Sequence, residues 1–362
     1  MIFDYIERGA EDEHTLQRNL DVFRQYSLVP RVLRDVSDVD LSTTLQGLKA
    51  SMPLVIAPTG LTGLFHHQGE RAVARAAHKH HLPYCLSTVS TTAIEDIPGP
   101  PESTNFFQIY IWHNKDIVND LIARCKASHY KALCLAVDTA TLGNRERDLQ
   151  NGQKIPLLLK LNIIKGAIHP ARWRWLANFI RVNPLRFANL VDHVEQGARL
   201  DKVVTDINEQ FSAAITWEDA ARLQEQWQGP FIIKGIQSVA DAVLAAEMGA
   251  TGIVLSNHGG RQLDGAVTAL ELLPEVVAEI GGKTEIYIDG GIRRGTDILK
   301  AIALGANACW IGRAYLYGLA AGGQQGVEKC IEILKEEMIR DMKLMGCKSL
   351  AELTPDHIRH TG

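Results

Sequence analysis

Eight short, β-favouring apolar runs punctuate the chain, at residues 54–57, 84–87, 106–111 and 132–137 and, after a long interval, at 231–234, 253–256, 286–289 and 308–311. Most are apolar at both phases of the alternation, as a parallel strand covered on both faces requires. Helical periodicity separates most of them. One helix is expected to start at Ser238, an N-cap with Asp241 three residues on, to turn Val239, Val243 and Ala246 to one face, and to stop at Gly249. Another runs from Thr296 to a stop at Gly305. Segments 248–256 and 304–312 repeat one unit of helix stop, strand and loop. Eight such repeats predict an α/β fold of the (β/α)8 TIM-barrel type, one domain over residues 1–362. A doubly wound sheet, the rival arrangement, normally opens its first helix with GxGxxG, which the sequence lacks. The interval 139–230 is too long for a plain crossover and marks an insertion over residues 150–210, between strands four and five.

Chemistry in such a barrel sits at the C-terminal ends of the strands, so the polar residues ending the eight runs are the candidates. They are Pro58-Thr59-Gly60, Ser87, Gln108 with Tyr110, Asp138, Lys234, Ser256 with His258 and Arg261, Asp289-Gly290-Gly291-Ile292-Arg293, and Gly312-Arg313. A histidine and an arginine three residues apart, on a loop loosened by Gly259 and Gly260, suit one small anion: the imidazole takes a proton while the guanidinium grips a carboxylate. Glycines that admit backbone N–H groups, with an arginine on each of the last two loops, have the composition of a phosphate site.

Composition narrows the partners. With 46% hydrophobic and 22% charged residues and a net charge of -4, the chain is globular and gives no global reason to bind nucleic acid. The six cysteines lie far apart with no metal-ligand spacing, so no metal is expected and the thiols read as reduced and packed, as in a cytoplasmic protein. The start of the chain lacks the basic and apolar regions of a signal peptide, and no window has the roughly 18 apolar residues of a spanning helix.

The run Ser256-Asn257-His258-Gly259-Gly260-Arg261-Gln262-Leu263-Asp264-Gly265 resembles the signature of the FMN-dependent L-2-hydroxy acid oxidising family, which includes glycolate and lactate oxidases, flavocytochrome b2, and lactate and mandelate dehydrogenases. The resemblance covers almost the whole chain, from Gly9-Ala10-Glu11-Asp12 through Gly312-Arg313, and looks most like the mandelate and lactate dehydrogenases. It implies FMN as cofactor, with Thr59, Ser87, Gln108 and Lys234 at the isoalloxazine ring and Pro58, Gly60, Ser256, Asp289, Gly291, Arg293, Gly312 and Arg313 completing the cofactor site. A fixed lysine ammonium near the ring would stabilise the negative charge that arrives with two electrons. The resemblance also implies His258 as the base, Asp138 as the carboxylate that orients it, Arg261 and Arg145 as the clamp on the substrate carboxylate, and Tyr110 as the phenol near the substrate hydroxyl. The implied reaction turns a 2-hydroxy acid into a 2-oxo acid; hydride and carbanion routes both need the same base. A homotetramer is implied as well.

The chain departs from the family pattern in places. Phe3 stands where many relatives carry a tyrosine that hydrogen-bonds the substrate, a loss of about 1.5–3 kcal/mol unless the arginines compensate. Gly60 and Val89 replace larger residues of short-chain oxidases and enlarge the substrate pocket, although Leu142 narrows it; with residues 144–149 they point to an aryl substrate such as mandelate or to a larger alkyl 2-hydroxy acid, with a lactate-like one as the smaller choice. Within the insertion, His169, Trp173 and Trp175 stand among Arg172, Arg174 and Arg181, aromatics mixed with arginines that suit peripheral contact with the inner face of the cytoplasmic membrane and transfer of electrons to quinone. A soluble lid or subunit contact is the competing reading of that segment. Asp289-Gly290-Gly291 is the form common in soluble oxidases, which use O2 and release H2O2. Two further readings are a barrel that binds flavin or hydroxy acid without turnover and a phosphosugar isomerase, which would have no use for a ring-facing Lys234.

Overall fold

The computed structural model describes residues 6–97, 99, 104–146, 173, 175, 177, 187–193 and 210–361. Eight parallel strands close into a barrel in chain order: β1 Leu54–Ile56, β2 Tyr84–Ser87, β3 Asn105–Ile109, β4 Ala132–Ala136, β5 Phe231–Ile236, β6 Gly252–Leu255, β7 Glu285–Asp289 and β8 Ala308–Ile311, which pairs back with β1 through Trp310 and Val55. All eight runs expected from the sequence are strands, so the TIM barrel stands. Two boundaries move by two residues and several others by one. β3 stops at Ile109, because the apolar run continues into Tyr110 and Ile111 after the backbone has left the ladder. β5 extends to Ile236 across a register shift at Gly235, whose φ of +106° only glycine adopts at ease and whose missing Cβ would lie 2.7 Å from Asp138 Cβ.

Alternation along the strands builds two cores. Val55, Cys85, Phe106, Cys134, Ile232, Val254, Tyr287 and Trp310 fill the barrel interior, and Leu45 and Ala50 of a hairpin join the same cluster. Large rings sit among small residues: Phe106 and Tyr287 lie 6.3 and 5.8 Å from Trp310, while Ala132, Ala308 and the two cysteines make room. The intervening residues, among them Leu54, Ile56, Leu86, Phe107, Ile233, Ile253 and Ile288, face outward under the helices. One period beyond the interior layer come Ser87, Gln108, Lys234, Ser256 and Asp289, two residues after Cys85, Phe106, Ile232, Val254 and Tyr287. The same two-residue period that packs the core thus places five polar groups at its C-terminal mouth.

Helices cover this sheet: α1 His14–Asp21, α2 Gly69–Lys79, α3 Lys115–Ala127, α4 Trp217–Trp227, α5 Val239–Glu247, α6 Ala269–Ile280, α7 Gly295–Ala303 and α8 Arg313–Met345, the last broken at Gly322 and Gly323. α5 is capped as expected, with Ser238 Oγ accepting from the Asp241 N–H, and α6 begins in a Thr268–Glu271 capping box. Five of the six cysteines are buried and all are unpaired. No described helix is long and apolar enough to cross a membrane.

A buried carboxylate ties the loops after β1 and β2 together. Glu70 accepts from the Thr62 and Thr91 N–H groups at 3.2 and 2.9 Å and from the Thr91 and Thr92 hydroxyls at 2.6 and 2.8 Å. Glu70→Gln replaces an acceptor oxygen by a donor facing donors, so a loss of about 1–3 kcal/mol is expected in denaturant unfolding; an unchanged midpoint would show that the cluster does not hold these loops.

Candidate active site

The mouth of the barrel opens into a cavity of about 270 Å³. Pro58, Thr59, Gly60, Ser87, Val89, Gln108, Tyr110, Arg145, Lys234, His258, Arg261, Asp289, Gly291, Arg293, Gly312 and Arg313 all line it, bringing together residues spread over more than 250 positions of sequence. Two expected residues do not. Asp138 and Ser256 lie behind the cavity wall, where they hold other groups in place.

His258 stands at the tip of a turn with φ +58°, a conformation that a histidine keeps only when its surroundings impose it. Those surroundings are explicit. Asn257, buried beneath the turn, exchanges two 2.9 Å amide hydrogen bonds with Asn19 of α1 and accepts from the Gly260 N–H, and the His258 N–H donates to Ser256 Oγ at 3.1 Å. His258 Nδ1 lies 3.0 Å from both oxygens of Asp138, whose side chain has no exposed surface. Burial alone would push the Asp138 carboxyl up, but His258 and Lys234 outweigh it and leave its pKa below the ordinary value of 3.8. The dyad is therefore a carboxylate fixing Nδ1–H, with Nε2 left as the basic nitrogen. Gln262, to which the sequence assigns no role, donates to the carbonyls of Asp138 and Thr141 at 2.9 Å each and staples the β4 loop to the His258 loop.

Asp138→Asn keeps the shape but offers the imidazole an amide that stabilises neither the right tautomer nor its cation, so a reaction that uses the imidazole as base is expected to slow by about 10³–10⁴-fold. Because the native carboxyl is depressed, its contribution to stability is full above the unfolded value and disappears as pH falls through the native one. Acid titration of wild type should lose this increment below about pH 4, and the Asn variant should lack it.

Lys234 lies deep in the mouth, with Nζ 2.7 Å from Asp289 Oδ2 and donating to Ser256 Oγ at 2.8 Å. Burial works against its charge, yet Asp289 and Asp138 raise its pKa above the ordinary lysine value. Asp289, expected among the residues around the cofactor, is thus also the counter-ion of the lysine. Arg261 lines the cavity and donates to the Arg8 carbonyl at 3.0 Å; Arg145 presents a buried Nε with no hydrogen-bond partner. Arg313 was expected to point at a phosphate, but three of its N–H groups already donate to the carbonyls of Ile6, Gly259 and Arg8 at 2.7–3.0 Å. Burial first, and then the like charge of Arg293, pull its pKa down to about 10. Arg293 gives one donor to the Ile292 carbonyl, and burial lowers its pKa as well. Gly291, with φ +82°, could not carry a side chain: a Cβ would lie 1.8 Å from the Asn19 carbonyl oxygen.

Phe187, within the insertion, and Phe211, just beyond it, also line the cavity, and Phe211 meets the Tyr110 ring edge-on at 5.0 Å. Neither stands at a strand end, where the sequence places the other candidates. Phe3 and nearly all of residues 150–210 lie outside the described residues.

Buried atoms without partners indicate what the mouth is built to hold. Gln108 Nε2, a donor, and Asp289 Oδ1, an acceptor, are both buried and unpaired. A flat heteroaromatic ring with acceptors along its edge satisfies the first, a polyol the second, and the glycine turns with Arg293 suit a phosphate. FMN carries all three groups, so the residues present fit it. The mouth of this (β/α)8 barrel thus sets a His258–Asp138 dyad on the same cavity as Arg145 and Arg261, an arrangement that can hold a small carboxylic acid and take a proton from it.

Comparison with known proteins agrees. Residues 1–360 match the FMN-dependent dehydrogenase family. The chain is 40% identical to (S)-mandelate dehydrogenase of Pseudomonas putida, covering 100% of this chain and 90% of that one, and 42% identical to L-lactate oxidase of a Nostoc species, covering 98% and 92%. A crystal structure of the monotopic membrane protein (S)-mandelate dehydrogenase superposes with a TM-score of 0.92 at 39% identity, over 99% of this chain and 94% of that one. The chain is a member of the FMN-dependent dehydrogenase family.

Proposed function

We propose that this enzyme oxidises an L-2-hydroxy acid, preferentially one with an aryl group such as mandelate, to the 2-oxo acid, and that its flavin is reoxidised by a quinone. The observation that carries the reading is the His258–Asp138 dyad on the same cavity as Arg261 and Arg145. The two guanidiniums bind the substrate carboxylate and so place the 2-hydroxyl against the imidazole. His258 Nε2 takes the hydroxyl proton, Asp138 stabilises the imidazolium that results, and the Tyr110 phenol orients the same hydroxyl. Bound FMN would accept the two electrons released as the α C–H bond breaks, together with the α-hydrogen. Thr59, Ser87, Gln108 and Lys234 would hold its ring, while Gly291, Gly312, Arg293 and the remaining donors of Arg313 would hold its phosphate. Lys234, kept charged by Asp289, would stabilise negative charge arriving on the ring.

Support for an aryl group comes from the substrate end. A Cβ on Gly60 would lie 2.7 Å from Val89 Cγ2, so part of the room that glycine leaves is taken by Val89, and the width of the pocket rests on Val89 not being larger. The rings of Tyr110 and Phe211 offer edge and face contacts to a phenyl group. Val89→Trp is expected to raise the KM for (S)-mandelate at least about tenfold while sparing L-lactate; equal effects on both acids would remove the pocket argument. The reading as a whole is tested by following 2-oxo acid formation from (S)-mandelate, (R)-mandelate and L-lactate. Formation from an S acid only is expected, and formation from none would overturn it.

Peripheral attachment to the inner face of the cytoplasmic membrane is supported by Trp173, 61% exposed in helical backbone, and by the membrane protein among the similar structures. A second reading, a soluble oxidase, is favoured by Asp289-Gly290-Gly291 and by the L-lactate oxidase relative. Stoichiometric H2O2 from air-saturated turnover would support the oxidase; reoxidation that needs a quinone analogue would support the dehydrogenase. We further propose a homotetramer, which light scattering of the purified enzyme would check.

A further inference from the structure

Tyr315 opens α8 with no exposed surface and lies behind Thr59 rather than in the cavity. Its hydroxyl touches Thr59 Oγ1 and also lies 3.2 Å from the Ala57 carbonyl oxygen. Burial raises its pKa above the ordinary phenol value, so the group keeps its proton. Two hydroxyl protons then serve three oxygens, and only two arrangements keep the Thr59–Tyr315 hydrogen bond. In one, Tyr315 donates to the Ala57 carbonyl and Thr59 donates to Tyr315, so Thr59 shows the cavity lone pairs. In the other, Tyr315 donates to Thr59, and the Thr59 proton is free for the cavity.

We propose that Tyr315 is a positioning residue that lets Thr59 meet the flavin as a hydrogen-bond donor in one redox state and as an acceptor in the other. The proposal rests on the reading that Thr59 faces the ring. A flavin ring changes in the matching sense, because its central edge nitrogen accepts a hydrogen bond when oxidised and carries a proton when reduced. With Phe at 315, Thr59 still donates to the oxidised ring. When it must accept from the reduced ring, however, its own proton has lost the Tyr315 oxygen and is buried without a partner. Reduced FMN should therefore be held less well relative to oxidised FMN.

The test is the midpoint potential of the bound flavin in wild type, Tyr315→Phe, Thr59→Val and the double variant, titrated anaerobically. Tyr315→Phe is expected to weaken the preference for reduced flavin about tenfold, which lowers a two-electron potential by about 30 mV. In the Thr59→Val background the same change should have no further effect, as a double-mutant cycle requires of a residue acting through Thr59. An unchanged potential, or a fall that persists in full without the threonine hydroxyl, would overturn the proposal. Wild type purified without flavin and unable to take up FMN would instead overturn the reading of the cavity on which it rests.

Discussion

His258→Ala should retain bound flavin and lose its reduction by substrate, with the anaerobic rate falling by about 10⁴-fold or more. The size of the effect follows from three functions being lost together. The imidazole is the cavity base that an Asp carboxylate orients, since Asp138 fixes Nδ1 from a fully buried position. General base catalysis alone is worth about 10²–10⁴-fold. The remainder comes from the imidazolium–carboxylate pair, which stabilises the charge developing as the hydroxyl proton leaves, and from loss of the stapled geometry. Stopped-flow absorbance of the flavin band measures the rate directly. A variant that binds FMN and reduces at a rate within tenfold of wild type would exclude His258 as the base.

Lys234→Met should be the most damaging change to the folded protein. It leaves Asp289, buried at the mouth with Oδ1 already unpaired, without its counter-ion, and Ser256 Oγ with only the His258 N–H of its two donors. Breaking a buried pair by removing one partner costs about 3–5 kcal/mol. Asp138 would lose Lys234, one of the groups that keep its carboxyl depressed. The expected results are a lower unfolding midpoint, weakened FMN retention and a more negative potential in whatever flavin stays bound. Removing both charges with Lys234→Met/Asp289→Leu should recover part of the stability and none of the potential. Recovery of both would mean that Lys234 serves only to neutralise Asp289.

The barrel was legible because parallel strands covered on both faces must be apolar in both phases, and residues 54–56, 84–86 and 308–311 follow that rule without interruption. The rule failed at the end of β3, where Tyr110 and Ile111 prolong the apolar run to line cavities rather than to pair. It failed again at Gly235, where a glycine that reads as a strand stop is a bulge making room for Asp138. Much of the site was legible for the same periodic reason, since Ser87, Gln108, Lys234 and Asp289 each continue the inward phase of a strand. What stayed hidden are contacts between segments far apart in sequence. Nothing local to Arg313 shows that it is tied to the carbonyls of Ile6 and Arg8, nothing near Asn257 shows that Asn19 supports it, and the hydroxyl behind Thr59 comes from residue 315. Each is a hydrogen bond spanning more than 230 positions, fixed by the closed barrel and not by any pattern along the chain.

The most direct measurement is the visible spectrum of the purified protein before and after anaerobic addition of (S)-mandelate. The account predicts an oxidised-flavin band that bleaches within the mixing time in wild type and persists in His258→Ala. A wild-type band that (S)-mandelate and L-lactate both leave unbleached would contradict the assignment of the His258 cavity to hydroxy acid oxidation.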